Sequence, residues 1–274
     1  MTERARPPPR LALLTLPSAA SAEAVAEFAA LHRDSLVLVG LSNPYRRNTG
    51  GALGQAWRHL RRSGPRMLGY LAVNMSLPRI ASALSRRPGP LQALCRDGHI
   101  RAMPVEDVNG PAFKAALRES GAELVVTFHF DQILTAATLA IPPLGGINIH
   151  PSLLPRHRGP IPGFWAGLEA EPAYGATVHR LVPRIDAGAI LVQRAVDLPR
   201  GTSASAAARL LHRAAVPLAT EALRRIATGE AEERQAEPLP YCPFPGRATL
   251  REGRRRGIRL VGPGDIRAAL RARL

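Results

Sequence analysis

Three side chains could do chemistry together: an asparagine and a histidine two residues apart, and an aspartate some way downstream. Asn148 and His150 lie in Gly145–Pro155, which reads Gly-Gly-Ile-Asn-Ile-His-Pro-Ser-Leu-Leu-Pro. Asp186 lies in Pro183-Arg-Ile-Asp-Ala-Gly188. An Asn amide is a neutral donor that can stabilise charge growing on an oxygen. A His can do the same when protonated. A carboxylate facing it favours the imidazolium and can help to move one proton. Separately these signals are weak, because an Asn-x-His pair on a strand and an Asp-Ala-Gly turn are both ordinary structure.

The elements around them suit a site. Ile147 and Ile149 alternate with Asn148 and His150, so a strand puts both polar side chains on one face. Pro151 cannot donate to a sheet ladder and ends that strand. The pair therefore sits at a strand's C-terminal end, where open parallel sheets bind ligands. Gly175–Gln193 reads as strand, tight loop, strand, with Asp186 in the loop.

The rest of the chain alternates in the same way. Strands are predicted over Arg10–Leu16, Ser35–Leu41, His99–Pro104 and Leu124–Phe128. Helices are predicted over Ser21–His32, Ala52–Arg62, Pro90–Arg96 and Ala112–Ser120, the last capped by Asn109 and closed by Gly121. Asn43–Gly51 reads as loop. Ser203–Ile226 is mainly helical, with a kink expected at Pro217 and a stop at Gly229. A final helix is expected over Asp265–Leu274. This order predicts an α/β fold with a mostly parallel twisted sheet. No Gly-x-Gly-x-x-Gly follows the first strand, so a dinucleotide site is not supported.

Asn-x-His-Pro-Ser-Leu-Leu-Pro, the Arg158-Gly159 that follows, Thr177-Val-His179 and the Asp-x-Gly loop together resemble the formyltransferases that use 10-formyltetrahydrofolate. The resemblance is strongest from Ala122 to Gln193. It implies the Rossmann-like formyltransferase fold and transfer of a formyl group to a primary amine through a tetrahedral oxyanion. Asn148, His150 and Asp186 match the family's three catalytic positions, and no metal is implied. The folate's pterin is expected between Phe128–Leu134 and Val182–Asp186. Phe130, Ile133, Leu134, Val182 and Ile185 would wall the ring, and Asp131 or Gln132 would bond its edge. Asp131 stands where relatives often carry glycine or another small residue. Ser152 is expected to hold the loop after the catalytic strand. His179 is either a supporting contact or a satisfied core histidine; His129 and His157 are weaker candidates.

The chain has 274 residues and a net charge of +16, almost all of it arginine, with Lys114 the only lysine. Two readings of that charge stay open: compositional drift, or a basic surface for nucleic acid or anionic membrane. Aromatics make up only 4% of the chain, which argues against single-strand binding. Cys95 and Cys242 lie far apart without metal spacing, which suits a reducing cytoplasm. The apolar run Leu11–Leu16 is too short for a signal peptide's core and reads as a buried strand.

A formyltransferase domain is expected over residues 1–235, with a basic C-terminal extension over 236–274. Residues 64–87 read as an insertion. Within it Tyr70, Val73, Leu77, Ile80 and Leu84 form an apolar stripe, with Arg61, Arg62, Arg66, Arg86 and Arg87 at its flanks and Pro78 expected to kink or split it. Self-association through this stripe, as a homodimer, is favoured over burial in the monomer; a peripheral membrane contact and a lid over the acceptor site are the other readings. The tRNA enzyme's barrel-like domain looks absent or reduced, and the purine enzyme's glycine-rich phosphate loop is missing. A small-molecule amine is therefore the expected acceptor: an amino sugar, an amino acid or a biosynthetic intermediate. The alternatives are a tRNA enzyme with a reduced C-terminal domain, a formyltetrahydrofolate hydrolase and a non-catalytic RNA-binding relative.

Overall fold

The computed structural model describes residues 8–45, 50–85 and 87–273. Arg86 and the middle of the Asn43–Gly51 loop lie outside them. The chain runs β1 (Leu11–Thr15), α1 (Ala22–Leu31), β2 (Leu36–Ser42), α2 (Gly51–Ser63), α3 (Pro65–Leu71), a π-turn (Ala72–Ser76), α4 (Leu77–Ser85) and α5 (Pro90–Asp97). It continues with β3 (Arg101–Val105), α6 (Pro111–Ser120), β4 (Leu124–Phe128), α7 (Ala136–Leu139), β5 (Gly146–His150) and α8 (Pro162–Gly167). It closes with β6 (Gly175–Arg180), β7 (Ile190–Ala195), α9 (Ala204–Thr228), α10 (Arg247–Arg255) and α11 (Pro263–Arg271).

The strands form one sheet in the order β3-β2-β1-β4-β5-β6-β7. The first five are parallel; β6 and β7 are antiparallel. Apolar strand residues are buried on both faces, as parallel strands require. Leu13, Val126 and Ile147 pack with Phe28 of α1 and Val216 and Leu223 of α9. Leu14, Leu38 and Val125 pack with Phe113 and Leu117 of α6. The chain order reverses between β1 and β4, which leaves a crevice at the C-terminal ends of β1, β4 and β5.

One local expectation changes, at the cap of α6. Gly110, not Asn109, precedes α6. The Asn109 side chain instead accepts from the Thr135 N–H at 2.8 Å and donates to the Ile133 carbonyl at 2.8 Å, tying down the loop after β4. Helix α9 continues through Pro217 and stops at Gly229, whose φ of 73° suits a residue without Cβ. Pro78 falls in the first turn of α4, directly after the π-turn. The helical run is thus split directly ahead of the proline, whose missing N–H a regular α-turn would need.

The 64–87 segment also differs from expectation. Met67, Tyr70, Asn74 and Met75 are buried within the single chain. Met67 and Tyr70 pack with Ile161, Phe164 and Leu250 of α10. Val73 and Leu77 pack on Ala19 and on Ala269 and Ala272, at and just beyond the end of α11. Only the far end of the stripe, Ile80 and Leu84, is exposed. The partner surface comes from the C-terminal helices, whose place in the fold no local pattern gives. Among the described residues no helix is long and apolar enough to cross a membrane.

Asp265 anchors α11. Its carboxylate accepts from Arg209 Nη2 at 2.6 Å, Ser203 Oγ at 2.5 Å and the Gly262 N–H at 2.6 Å, and it is buried. Asp265→Ala strands the Arg209 guanidinium and is expected to cost about 3 kcal/mol. Urea unfolding measures this, and an unchanged midpoint would contradict it.

Candidate active site

The crevice is a cleft of about 780 Å³. Asn148, His150, His179 and Asp186 line it together. Sheet register sets the first contacts, because Asn148 pairs with Thr127 on β4 and with His179 on β6. Asn148 Oδ1 accepts from Thr127 Oγ1 at 2.7 Å. His179 Nδ1 donates to the Arg180 carbonyl at 2.8 Å, so its Nε2 accepts from Asn148 Nδ2 at 3.0 Å. These two neighbours fix which end of the amide is nitrogen. The second Nδ2 hydrogen has a longer bond, 3.3 Å, to Asp186 Oδ1.

His150 is buried at the end of β5. Its Nε2 donates to the His157 carbonyl at 3.3 Å, and its Nδ1 faces Asp186 Oδ1 at 3.6 Å. Burial lowers the His150 pKa, and Asp186 partly offsets that. Burial pushes the Asp186 carboxyl upward, but at low pH the protonated rings of His150 and His179, with the Gly159 N–H, outweigh it and take it to about 2. The resting site is thus a neutral imidazole facing an ionised carboxylate. A proton arriving at Nδ1 meets that charge directly.

Asp186 has a φ of 45°, a left-handed conformation that needs outside support. The Arg-Gly pair gives it. Arg158 is buried, and its Nε donates to the carbonyls of Ile185 at 2.9 Å and Asp186 at 3.1 Å. Its Nη1 donates to the Leu239 carbonyl at 2.8 Å. The Gly159 N–H donates to Asp186 Oδ2 at 2.9 Å. Gly159 has φ 125°, and a Cβ there would lie 2.3 Å from the Cys242 carbonyl oxygen, so only glycine fits.

The loop after β5 is held from β6. Thr177 Oγ1 donates to the Ser152 carbonyl at 2.6 Å, and Ser152 Oγ to the Arg156 carbonyl at 2.9 Å. Ser152 lies outside the cleft lining. His157 is likewise outside and pairs with Glu169 at 2.9 Å.

Of the residues expected to meet a flat ring, Phe130, Asp131, Gln132, Ile133, Val182 and Ile185 line the cleft. Leu134 does not; it is buried in the core beneath the loop. Gln132 is already committed. Its Nε2 donates to Ser42 Oγ at 3.0 Å and the Val105 carbonyl at 2.9 Å, and its Oε1 accepts from the Val108 N–H at 2.9 Å. Its amide therefore shapes the loop and is not free to bond a ring edge. Ser42 Oγ donates to Asp131 Oδ1. Two further histidines, His129 and His212, line the same cleft with ring centroids 5.1 Å apart. Among the described residues no cluster of three or more His, Cys, Asp or Glu is placed to hold a metal ion.

A sequence model of the formyl transferase family matches residues 84–223, half of the chain. The chain belongs to the formyl transferase family. A methionyl-tRNA formyltransferase of Chloroflexus aggregans is 38% identical over 147 residues, 54% of this chain and 48% of that protein. This formyl transferase chain thus spans about half the length of the curated relatives it matches. A sugar N-formyltransferase from a Shewanella species superposes with a TM-score of 0.55 at 17% identity, over 95% of this chain and 86% of that one. An N-formyltransferase of Helicobacter canadensis, in complex with folinic acid and dTDP-3-aminofucose, gives 0.52 at 14% identity, over 86% and 70%. At those identities the shared feature is the fold.

Burial lowers the pKa of His129 to about 4 and that of His212 to about 3, against an ordinary value of 6.5. Below pH 6.5 the unfolded formyl transferase chain therefore binds more protons than the folded one. The stability from burying these neutral rings is complete above pH 6.5 and falls with pH towards 4. Each histidine is expected to contribute a slope of about 1.4 kcal/mol per pH unit below pH 6. His212→Gln should remove one such share. Denaturant unfolding at pH 7, 6 and 5 measures it, and a flat profile would reject it.

Proposed function

We propose that the chain transfers a formyl group from 10-formyltetrahydrofolate to the primary amine of a small molecule in the cytoplasm. The observation that carries this is the meeting of Asn148, His150 and Asp186 around one point in a cleft of about 780 Å³. The walls suit a flat heterocycle. Ile133 and Val182 are 50% and 37% exposed, and they stand with Phe130 beside two loops of irregular backbone. Large apolar side chains left open beside free main-chain groups are what such a ring requires. The Helicobacter canadensis enzyme, whose complex carries folinic acid, has the same fold.

The donor supplies an electrophilic formyl carbon when bound. Asn148 Nδ2 can turn its longer bond, the one to Asp186, towards the formyl oxygen as charge grows there. His150 gives a second donor once Nδ1 is protonated. Asp186 stabilises that imidazolium and receives the amine's proton through it. Thr127 and His179 hold the amide in register, and Arg158 holds the carboxylate.

His150→Ala and Asp186→Ala are each expected to lower kcat by at least 10³-fold, while affinity for 5-formyltetrahydrofolate stays within a few-fold by calorimetry. Near-normal turnover in both variants would remove the assignment. No binding of the folate at millimolar concentration would remove the donor site.

One observation favours a second reading, an amine carried on RNA. Arg66, Arg251, Arg254 and Arg255 surround a smaller hollow of about 350 Å³. The curated relatives at 38% and 37% identity are methionyl-tRNA enzymes. tRNA affinity that falls steeply with salt, and is lost in Arg251→Ala/Arg254→Ala, would establish it.

A further inference from the structure

The state of His150 is set by a second histidine, one that lies outside the cleft. His150 Nε2 meets the His157 carbonyl at 3.3 Å, and a carbonyl can only accept, so the proton of the neutral ring sits on Nε2. Nδ1 then carries the lone pair, 3.6 Å from Asp186 Oδ1. Without that carbonyl, a neutral imidazole beside an ionised carboxylate favours the opposite tautomer, with Nδ1–H donated to the acid. That form fills the nitrogen that has to take the amine's proton. The His157 carbonyl therefore decides whether His150 is a base on the side facing Asp186.

His157 turns the chain with a φ of 54°, a left-handed conformation that needs support in a residue with a side chain. Its neighbours are fastened by other bonds. The Arg156 carbonyl accepts from Ser152 Oγ at 2.9 Å, and Arg158 is tied to Ile185, Asp186 and Leu239. His157 is held through its own ring, which is buried and donates from Nε2 to Glu169 Oε1 at 2.9 Å. Burial lowers the His157 pKa, and Glu169 only partly offsets that, so the ring is neutral at pH 7 with its proton on Nε2. Glu169 is fixed in turn. It lies just past α8, where its N–H donates to the Ala166 carbonyl at 3.1 Å and the preceding Leu168 carbonyl accepts from Arg256 Nη1 at 2.7 Å.

The pair is a poor device for stability alone. His157 Nδ1 and Glu169 Oε2 are buried without a hydrogen-bond partner among the described residues, although Arg156 Nη1 faces that oxygen at 3.5 Å. Unmet buried polar atoms are costly, and such a pair is explained by the geometry it imposes. The group it presents to the site is the His157 carbonyl, since neither side chain lines the cleft.

We infer that His157 and Glu169 are positioning residues: together they hold the His157 carbonyl against His150 Nε2 and so keep Nδ1 free to accept the amine's proton. This rests on the proposed formyl transfer. It extends the machinery from the end of β5 to the end of α8, through one side-chain pair.

Histidine labelled with ¹⁵N reads the tautomer without turnover, by long-range proton–nitrogen correlation at pH 8. The His150 signals are those missing from His150→Gln. The wild-type ring is expected in the Nε2–H form. Glu169→Ala and His157→Phe, checked for folding by circular dichroism, should each move about a third or more of it to the Nδ1–H form. Tetrahydrofolate release is measured with glucosamine, serinol and putrescine as amines. In both variants kcat should fall about tenfold, while KM for donor and amine stays within about twofold. Glu169→Gln keeps an acceptor for His157 and should retain most of the tautomer and of the rate. A wild-type ring already in the Nδ1–H form overturns the inference, and this readout decides alone if both variants unfold. An unmoved tautomer in a folded Glu169→Ala, or a raised KM at unchanged kcat, also overturns it. A moved tautomer with no release from wild type on any of the three amines supports the positioning but overturns small-amine transfer; release with an unmoved tautomer does the reverse.

Discussion

The site depends on one buried cation. Arg158 brings its guanidinium into the protein with backbone carbonyls as its hydrogen-bond partners, from Ile185, Asp186 and Leu239. Charge without a counter-ion inside a protein is costly unless every donor is used in good geometry. A planar fork can meet carbonyls from two segments at once, which a lysine ammonium cannot do in the same way. By gathering those carbonyls Arg158 fixes the backbone of Asp186 in its left-handed conformation, which turns the carboxylate towards Asn148 and His150. The adjacent Gly159 N–H then takes the other carboxylate oxygen. Arg158 and Gly159 thus serve one aspartate from two sides, and the irregular segment at Leu239 is drawn in with it.

The cleft has two walls of different origin. One wall uses the loop after β4 and the loop between β6 and β7, both ends of regular sheet strands. The other wall uses α3 and the π-turn, which are backed by α8 and α10 through Met67, Tyr70, Phe164 and Leu250. Neither the 64–87 segment nor the tail has an apolar face that the sheet could cover alone. Each covers the other, so changes in one should be felt in the other while β5 stays in place.

What was legible in the sequence follows the range of the interactions. The alternation over Ile147–His150 and the turn at Asp186 are local patterns, and the structure places those side chains together. Parallel strands and their helices were legible for the same reason. Thr127 was not, because its role comes from its register opposite Asn148, which depends on how β4 and β5 pair. Gln132 looked free to bind a ring, but Ser42 and Val105, 90 and 27 residues away, consume its amide. His212 gave no signal on an alanine-rich helix; it matters because α9 lies against the segment after β1.

The arginine-rich tail illustrates how composition misleads. The net charge of +16 suggests a polyanion-binding surface. Much of the arginine is nevertheless spent within the fold. Arg247 donates to the Leu60 carbonyl at the end of α2, Arg256 to the Leu168 carbonyl just past α8, and Arg259 to the Gly201 carbonyl before α9. Arg10 and Arg180 do the same for Ser120 and Leu144. Helix and loop ends leave carbonyls without partners, and a guanidinium satisfies them while its stem covers apolar surface. Bonds of this kind fasten the tail to the body. A surface held together by carbonyl forks carries positive charge as a consequence of its fastening, and so the charge by itself does not specify an anionic partner. Only where arginines gather without carbonyl or carboxylate partners among the described residues, as Arg66, Arg251 and Arg254 do, does the charge bear on what the protein binds.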